Sequence, residues 1–571
     1  PHFAIINIYL FLFSLYLQVF NRDSTSLDKV PQNLDVIVIG SGIGGLTAGA
    51  TLAKAGKRVL VLEQHDQAGG CCHTYIEKGF EFDVGLHYIG QVHENSLLRI
   101  AFDQLSEGQL EFQKLKQHFD TIMIGQGEEK REYTIFSGKS EMKAHLMKQF
   151  PDDTEKTHYL ATLKLIPQWV SLFLLKSGIG NLLTPVFRLS GTCATDLVNT
   201  LTSNKDLHII FSYLFYGVPP KDSSILINAL LIHHYKRGAY YPKGGASEIA
   251  FHIIRTIQKY GGNCLVRAPV SGILVDDKGA AYGVKVRKGQ EEVEVHAPVV
   301  VSNCGIFTTF QKLLPPEIQV KKDIQERLNM MKHGRGSFLV FSGFDGTEEE
   351  LGLESTNFWL FKNNDMDKSM EDYFALSKEE APDNIPMMFI TMPSAKDPEA
   401  KIRHPGKSCM TILTMAKYEW FEEWKDTTVR KRGDEYHNYK MRFAKNLFDW
   451  ACTLFPKIKD KVGSVSDVAT PLTNNHYLGA QRGAMYSAEH NLKRFQAETV
   501  ARNRCNTPVK NLYISGQDVF SCGVAGALHG GLLCASAVLD HIVYIDLLFL
   551  KKKLKRRKAR ELAELAKKKL Q

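Results

Sequence analysis

The apolar positions of this chain fall first into short β-branched runs punctuated by glycine. Asp35-Val-Ile-Val-Ile39 is such a run, stopped by Gly40, and predicts a buried strand. Leu46 to Ala55, rich in Ala, Leu and Thr and closed by Gly56, predicts a helix, and Arg58 to Leu62 a second buried strand. Together they form a β-α-β unit of the doubly wound kind. Further strands are expected at Asn263–Val266, Val270–Val275, Val293–Val295 and Val299–Val301, the last running into Ser302-Asn303. Another is expected at Asn511–Ser515, followed by a helix of small residues from Ala525. Pieces of three distant regions thus predict one discontinuous Rossmann-like α/β domain over 35–90, 240–305 and 490–545. The intervening stretches, 91–239 and 306–489, predict an inserted α+β domain. An apolar segment (1–20) and a polar linker (21–34) precede them, and a basic tail (546–571) follows.

The ends of the chain change the picture. Phe3 to Phe20 is uncharged and broken only by Asn7, Ser14 and Gln18. At 1.5 Å per residue it reaches roughly 27 Å, enough for a bilayer core, and both an anchor and a cleaved signal segment fit it. The formal net charge of +9 resides on the tail, where Lys551 to Gln571 holds eleven Lys and Arg against two Glu. A neutral body argues against nucleic acid, and a basic tail suits an anionic lipid surface. Ile542 to Leu550 followed by the Lys551–Lys558 cluster reads as a helix lying on such a surface, or else as a solvated tail. Leu160 to Leu189, with Trp169 and Phe173, reads either as a lipid-dipping mouth of a substrate tunnel or as core helices. Ten cysteines without a C-x-x-C pair or zinc-like spacing read as small reduced side chains, with no metal site. No N-x-S/T sequon occurs, which favours a body facing the cytosol.

The chemistry starts at Gly40-Ser-Gly42-Ile-Gly44-Gly45, between the first strand and its helix. Gly40 permits the tight turn, Gly42 lets backbone approach a pyrophosphate, and Gly45 lets the helix pack close. The helix N-terminus then favours the negative charge. Glu63 ends the second strand, 23 residues after Gly40, where a carboxylate accepts hydrogen bonds from ribose hydroxyls and repels a 2′-phosphate. That disfavours NADP at this turn. Gly69-Gly70 and Gly79-Phe-Glu-Phe-Asp-Val-Gly85 follow, and near the other end Tyr513-Ile-Ser-Gly516-Gln-Asp518 precedes Gly523, Gly526, Gly530 and Gly531. Asp518 also suits a helix N-cap.

These three motifs together resemble the FAD-dependent oxidoreductases of the carotenoid desaturase and isomerase class, and within it the retinol saturase family. The narrowing residues are Gly69-Gly-Cys-Cys-His-Thr74, Phe82-Asp-Val-Gly-Leu-His-Tyr-Ile-Gly90, Tyr241-Pro-Lys-Gly-Gly245, and Gly516-Gln-Asp518 with Cys522-Gly523. The resemblance implies an amine-oxidase-like two-domain fold with FAD on Gly40, Gly42, Gly44, Gly45, Glu63, Gly69, Gly70, Val270, Asp518 and Gly526, Asp518 meeting the ribityl and pyrophosphate. It implies saturation of the 13,14 double bond of all-trans-retinol, with NADP or NAD as a transient hydride donor, at the endoplasmic reticulum membrane. If the chain ends at Gln571, Lys568-Lys569 resembles a dilysine retrieval signal. Reduction of a polyene needs a hydride at one carbon and a proton at its neighbour, and His87, Tyr88, Tyr241 and His476 are the candidate proton donors. A carotenoid isomerase or desaturase would take a longer polyene. An amine oxidase would need an aromatic cage that the sequence does not place. A prenylated-GTPase escort would have the fold without flavin.

Overall fold

A computed structural model of the protein describes residues 29–138, 164, 167–177, 179, 186–429 and 431–570. The apolar Phe3–Phe20 segment and most of the linker lie outside the described residues.

Two sheets organise the chain. The first is parallel and five-stranded, in the order Leu512–Ile514, Val299–Ser302, Val36–Ile39, Val59–Leu62, Asn263–Leu265. Its central strand pairs Val38 with Val301 on one side and with Val61 on the other. All four side chains of Val36–Ile39 are buried, which is why the run is β-branched throughout and does not alternate with polar residues. Helix Ile43–Lys54 packs against Gly523–Leu539 and Ser247–Lys259. Both glycine-rich helices start earlier than the sequence pattern suggests, at Ile43 and Gly523. Gly44, Gly45 and Gly526 lie inside these helices, where close packing overrides glycine's poor helix propensity. A three-stranded antiparallel meander, Val270–Val275, Ala281–Lys288 and Glu291–His296, stands beside this sheet.

The second sheet is mixed and seven-stranded, in the order Val462–Ala469, Gly336–Asp345, Lys407–Ala416, Met387–Thr391, Asn357–Phe361, His118–Ile124, Arg131–Phe136. Its core is rich in aromatic and methionine side chains, among them Phe338, Trp359, Met388 and Met410. Helix Gly433–Cys452 buries Phe443 and Leu447 against it. The two sheets meet along a boundary crossed by the segment from Phe80 to Gly90.

The basic tail is one helix, Val543–Leu570, docked on the nucleotide lobe through buried Tyr544 and Leu547. Ile545, Leu548 and Phe549 stay 44%, 42% and 67% exposed. Of the Leu160–Leu189 stretch, helix Gln168–Lys176 is described, with Trp169 73% and Phe173 60% exposed. Among the described residues no single helix is long and apolar enough to cross a membrane.

Candidate functional site

The turn after the first strand is built for a dinucleotide. Gly40 sits at φ +90°, a conformation open to glycine at no steric cost. Helix Ile43–Lys54 begins without a side-chain cap, so its first N–H groups face outward. A side chain at Gly44 would place Cβ 2.4 Å from Cα of Gly516 and 2.6 Å from Oδ1 of Asn303. The glycines therefore let three strand ends close on one another as well as admitting a phosphate.

Glu63 is 7% exposed and held in place by the turn itself. The Ser41 N–H (3.1 Å) and hydroxyl (2.6 Å) donate to its Oε2, and the His65 N–H donates to Oε1 at 3.0 Å. Ser41 Oγ in turn accepts the Gly69 N–H at 2.9 Å, tying Gly69-Gly70 to the turn. A carboxylate has about four acceptor positions, so three internal donors leave capacity for a ribose hydroxyl. On the other side of Glu63 its carbonyl accepts the Ala268 N–H at 2.7 Å, which brings half-buried Val270 to the same end.

The carboxylate of Asp518, expected at the ribityl and pyrophosphate, is not open to solvent but taken up by internal donors. Its Oδ2 accepts from the Ile306 N–H (2.8 Å) and the Ser487 hydroxyl (2.7 Å), and Oδ1 from the Ala488 N–H (3.0 Å). It is 2% exposed and clamps three segments around the cradle. Nor does it cap the following helix, whose N-cap is Cys522. Gly526 lets that helix close on the preceding loop, since a Cβ there would meet the Ser521 carbonyl at 2.3 Å. Arg494, 3% exposed, braces the same loop, donating to Ala488 O at 2.8 Å and to Gln517 O.

This cradle fits FAD. It offers unpaired helix N–H groups to a pyrophosphate, backbone approach at glycines, and an oriented carboxylate for a ribose with a free 2′-hydroxyl.

From the cradle the chain runs into the lobe boundary. A Cβ on Gly70 would lie 2.9 Å from Gly42 Cα, and one on Gly85 would lie 2.8 Å from Cys71 Cβ. These contacts carry the backbone from the phosphate turn to Leu86, His87 and Tyr88. There the polar groups are buried and interlocked. Asp120 Oδ2 accepts from Tyr88 (3.2 Å) and Tyr213 (2.9 Å), and Asn357 Nδ2 donates to its Oδ1 at 2.9 Å. Lys396, 2% exposed, donates to the His87 carbonyl at 2.8 Å and to Thr391 and Asn357. Tyr241 donates to Asp83 Oδ2 at 2.6 Å. Burial pushes the Asp120 carboxyl up to about 6 and that of Asp83 up to about 7. It pulls the Lys396 ammonium down to about 7, Asp83 and Asp120 partly countering it. Burial, helped by the charge of Lys396, lowers His87 to about 3, so its imidazole is neutral. Tyr216 and Tyr486 stack nearly parallel, centroids 5.6 Å apart, with Tyr216 beside the start of the Gly523–Leu539 helix. This is an aromatic pair that the sequence pattern does not place.

The four proton-donor candidates are not brought to one place. Tyr88 and Tyr241 have committed their hydroxyls to buried carboxylates. His476 is exposed and lies 5.3 Å from the His65 ring, at the Glu63 end of the cradle. His87 alone combines a half-buried ring with a buried Nδ1 that has no hydrogen-bond partner among the described residues. Ser41, Asn303, Asp120 and Lys396 are not among the candidate site residues that the sequence offers. Ser41 was within reach of them, since it stands inside the glycine motif.

Residues 38–105 match the family described as NAD(P)-binding Rossmann-like domain. A zebrafish (Danio rerio) protein named inactive all-trans-retinol 13,14-reductase is 54% identical, the match covering 94% of this chain and 90% of that protein. A second zebrafish protein, named all-trans-retinol 13,14-reductase, is 45% identical over 92% of this chain and 89% of its own length. Among solved structures, cyclohexylamine oxidase from Brevibacterium oxydans superposes with a TM-score of 0.52 at 16% identity, covering 92% of this chain and all of that one. The two-domain α/β architecture is that of the amine oxidase-type flavoproteins.

Proposed function

The chain belongs to the all-trans-retinol 13,14-reductase family, and we propose on that footing that it reduces the 13,14 double bond of all-trans-retinol with FAD as its bound cofactor. The observation that carries this reading is the continuity of an FAD-shaped cradle with an aromatic lobe boundary at His87. Bound in the cradle, FAD supplies two-electron reduction, with a nicotinamide cofactor as the external donor. The protein's own residues bind and exclude. The helix start at Ile43 holds the pyrophosphate, Glu63 holds the ribose, and Asp518 and Arg494 keep the loop walls in position. Tyr216 and Tyr486 line a face that suits a flat polyene and sheds water.

A second reading rests on the 54% relative, whose name calls it inactive. In it the chain keeps FAD and retinoid without turnover. One experiment separates the two. The protein, purified in detergent, should show a flavin spectrum, and after anaerobic photoreduction should convert all-trans-retinol to the 13,14-dihydro product, followed by chromatography. A reducible flavin beside unchanged retinol would sink the reductase reading and leave the second.

We place the protein on the endoplasmic reticulum membrane with its body in the cytosol. Support comes from Ile545, Leu548 and Phe549, exposed beside Lys551–Lys553, and from exposed Trp169 and Phe173. Sedimentation with phosphatidylserine vesicles, weakened by salt and by Phe549→Glu, is the expected result. Equal recovery with neutral vesicles would count against an anionic surface.

A further inference from the structure

We propose that His87 recognises the hydroxyl end of the substrate, so that this site selects a polyene alcohol over a polyene hydrocarbon. The inference rests on the retinoid reading above and names the residue that reads the polar group.

The position of His87 is rigid. Its carbonyl is held by Lys396 at 2.8 Å, and two residues earlier Gly85 abuts Cys71 at the end of the FAD cradle. Its ring packs on Phe389 with centroids 5.4 Å apart. Five neighbouring polar side chains have already spent their hydrogen bonds: Tyr88 and Tyr213 on Asp120, Tyr241 on Asp83, Asn357 and Thr391 on Lys396. Two nitrogens around Phe389 have not. His87 Nδ1 and the indole Nε1–H of Trp359, whose ring packs on Phe389 at 4.6 Å, are both buried without a partner among the described residues.

Buried polar groups left unpaired cost free energy, so native sites fill them. The indole can only donate. The neutral imidazole can accept, which complements a hydroxyl as both acceptor and donor. A hydrocarbon end satisfies neither. An apolar tunnel discriminates poorly between chains that differ by one hydroxyl, whereas a site built to bond the hydroxyl rejects the analogue lacking it. The low proton affinity of His87 agrees with an anchor and argues against a proton donor.

The test uses the FAD-loaded protein with all-trans-retinol and with the same polyene ending in a methyl group. Binding to the oxidised enzyme, read by retinoid fluorescence, needs no turnover, and kcat and KM are measured beside it. His87→Leu should weaken retinol binding by about 10- to 100-fold, raise KM more than it lowers kcat, and leave the hydrocarbon unchanged. His87→Gln, which keeps a donor and an acceptor, should recover most of the loss, and Trp359→Phe should weaken retinol selectively. Flavin absorbance per protein reports whether each variant folds. Equal binding of the two polyenes by the unsubstituted protein would overturn the inference. So would an equal loss of both in His87→Leu, or unchanged retinol binding there, as expected if a trapped water serves the two nitrogens. Failure of the reductase reading would look different, with selective retinol binding but no dihydro product.

Discussion

The nucleotide cradle and the lobe boundary next to it solve opposite problems. The cradle is made mostly of main chain. Its glycines remove side chains so that Gly44, Asn303 and Gly516 converge, and its two carboxylates, Glu63 and Asp518, are each oriented by three internal donors, with acceptor capacity left on Glu63 for the ribose. The boundary is made of side chains. Asp83, Asp120 and Lys396 are buried with shifted protonation, and His87 Nδ1, Trp359 Nε1 and Asp83 Oδ1 have no partner among the described residues. A cofactor that stays bound rewards a rigid surface complete in itself. A substrate that comes and goes requires groups whose last hydrogen bond the protein does not supply.

The contrast can be broken in three places. The largest effect is expected in the cradle. Gly44→Val would drive a side chain into the Gly516 backbone, 2.4 Å from the position of its Cβ, and neither backbone can yield. FAD occupancy should fall by about tenfold or more, read as flavin absorbance per protein. A fully yellow variant would show that the glycines are not there for packing. Next, Lys396→Met removes the ammonium that ties the His87 carbonyl to Thr391 and Asn357 and leaves Asp120 without its cation. Breaking a buried charge cluster on one side costs about 3 kcal/mol, which should lower the denaturation midpoint while flavin content stays whole. An unchanged midpoint would mean that the boundary is not interlocked.

The smallest effect concerns pH. Asp83 faces Tyr241, Glu81 and Lys396, and burial raises its carboxyl to about 7. The folded protein thus keeps a proton that the unfolded chain loses near its ordinary value of about 4. The resulting stabilisation is complete below that pH and is lost as pH rises through about 7. Asp83→Asn removes this titrating proton, so the melting temperature of the unsubstituted protein should fall relative to the variant, by about 2–4 °C between pH 5 and 8. Parallel curves would place the proton elsewhere.

The sequence discloses the two regions unequally, for physical reasons. A β-branched strand, a glycine turn and a carboxylate 23 residues on are local signals, and the cradle lies where they point. Even there, helix starts are read too late, because Gly44 and Gly45 look like punctuation when they are packing surfaces inside a helix, and Gly523, at φ +72°, opens the other helix where a turn is expected. Asp518 is visible as a conspicuous carboxylate, but its three partners come from 306, 487 and 488, which no local pattern announces. The boundary is almost silent in sequence. Lys396 meets a carbonyl 309 residues away and Asp120 an asparagine 237 residues away. In Pro393-Ser-Ala-Lys-Asp-Pro398 a lone lysine reads as surface until the sheet register buries it.

Helix Gly523–Leu539 has one end on the cradle, and after Asp540, at φ +50°, the chain bends by 114° into the basic helix. The bend is braced by His529 Nδ1 and the Tyr544 hydroxyl, 2.7 Å apart, with their rings stacked. Seventeen residues at 1.5 Å make this helix a ruler of about 25 Å. With the basic helix on the membrane proposed above, the length of this one buried rod would set how far an apolar molecule travels from that surface to the cofactor end.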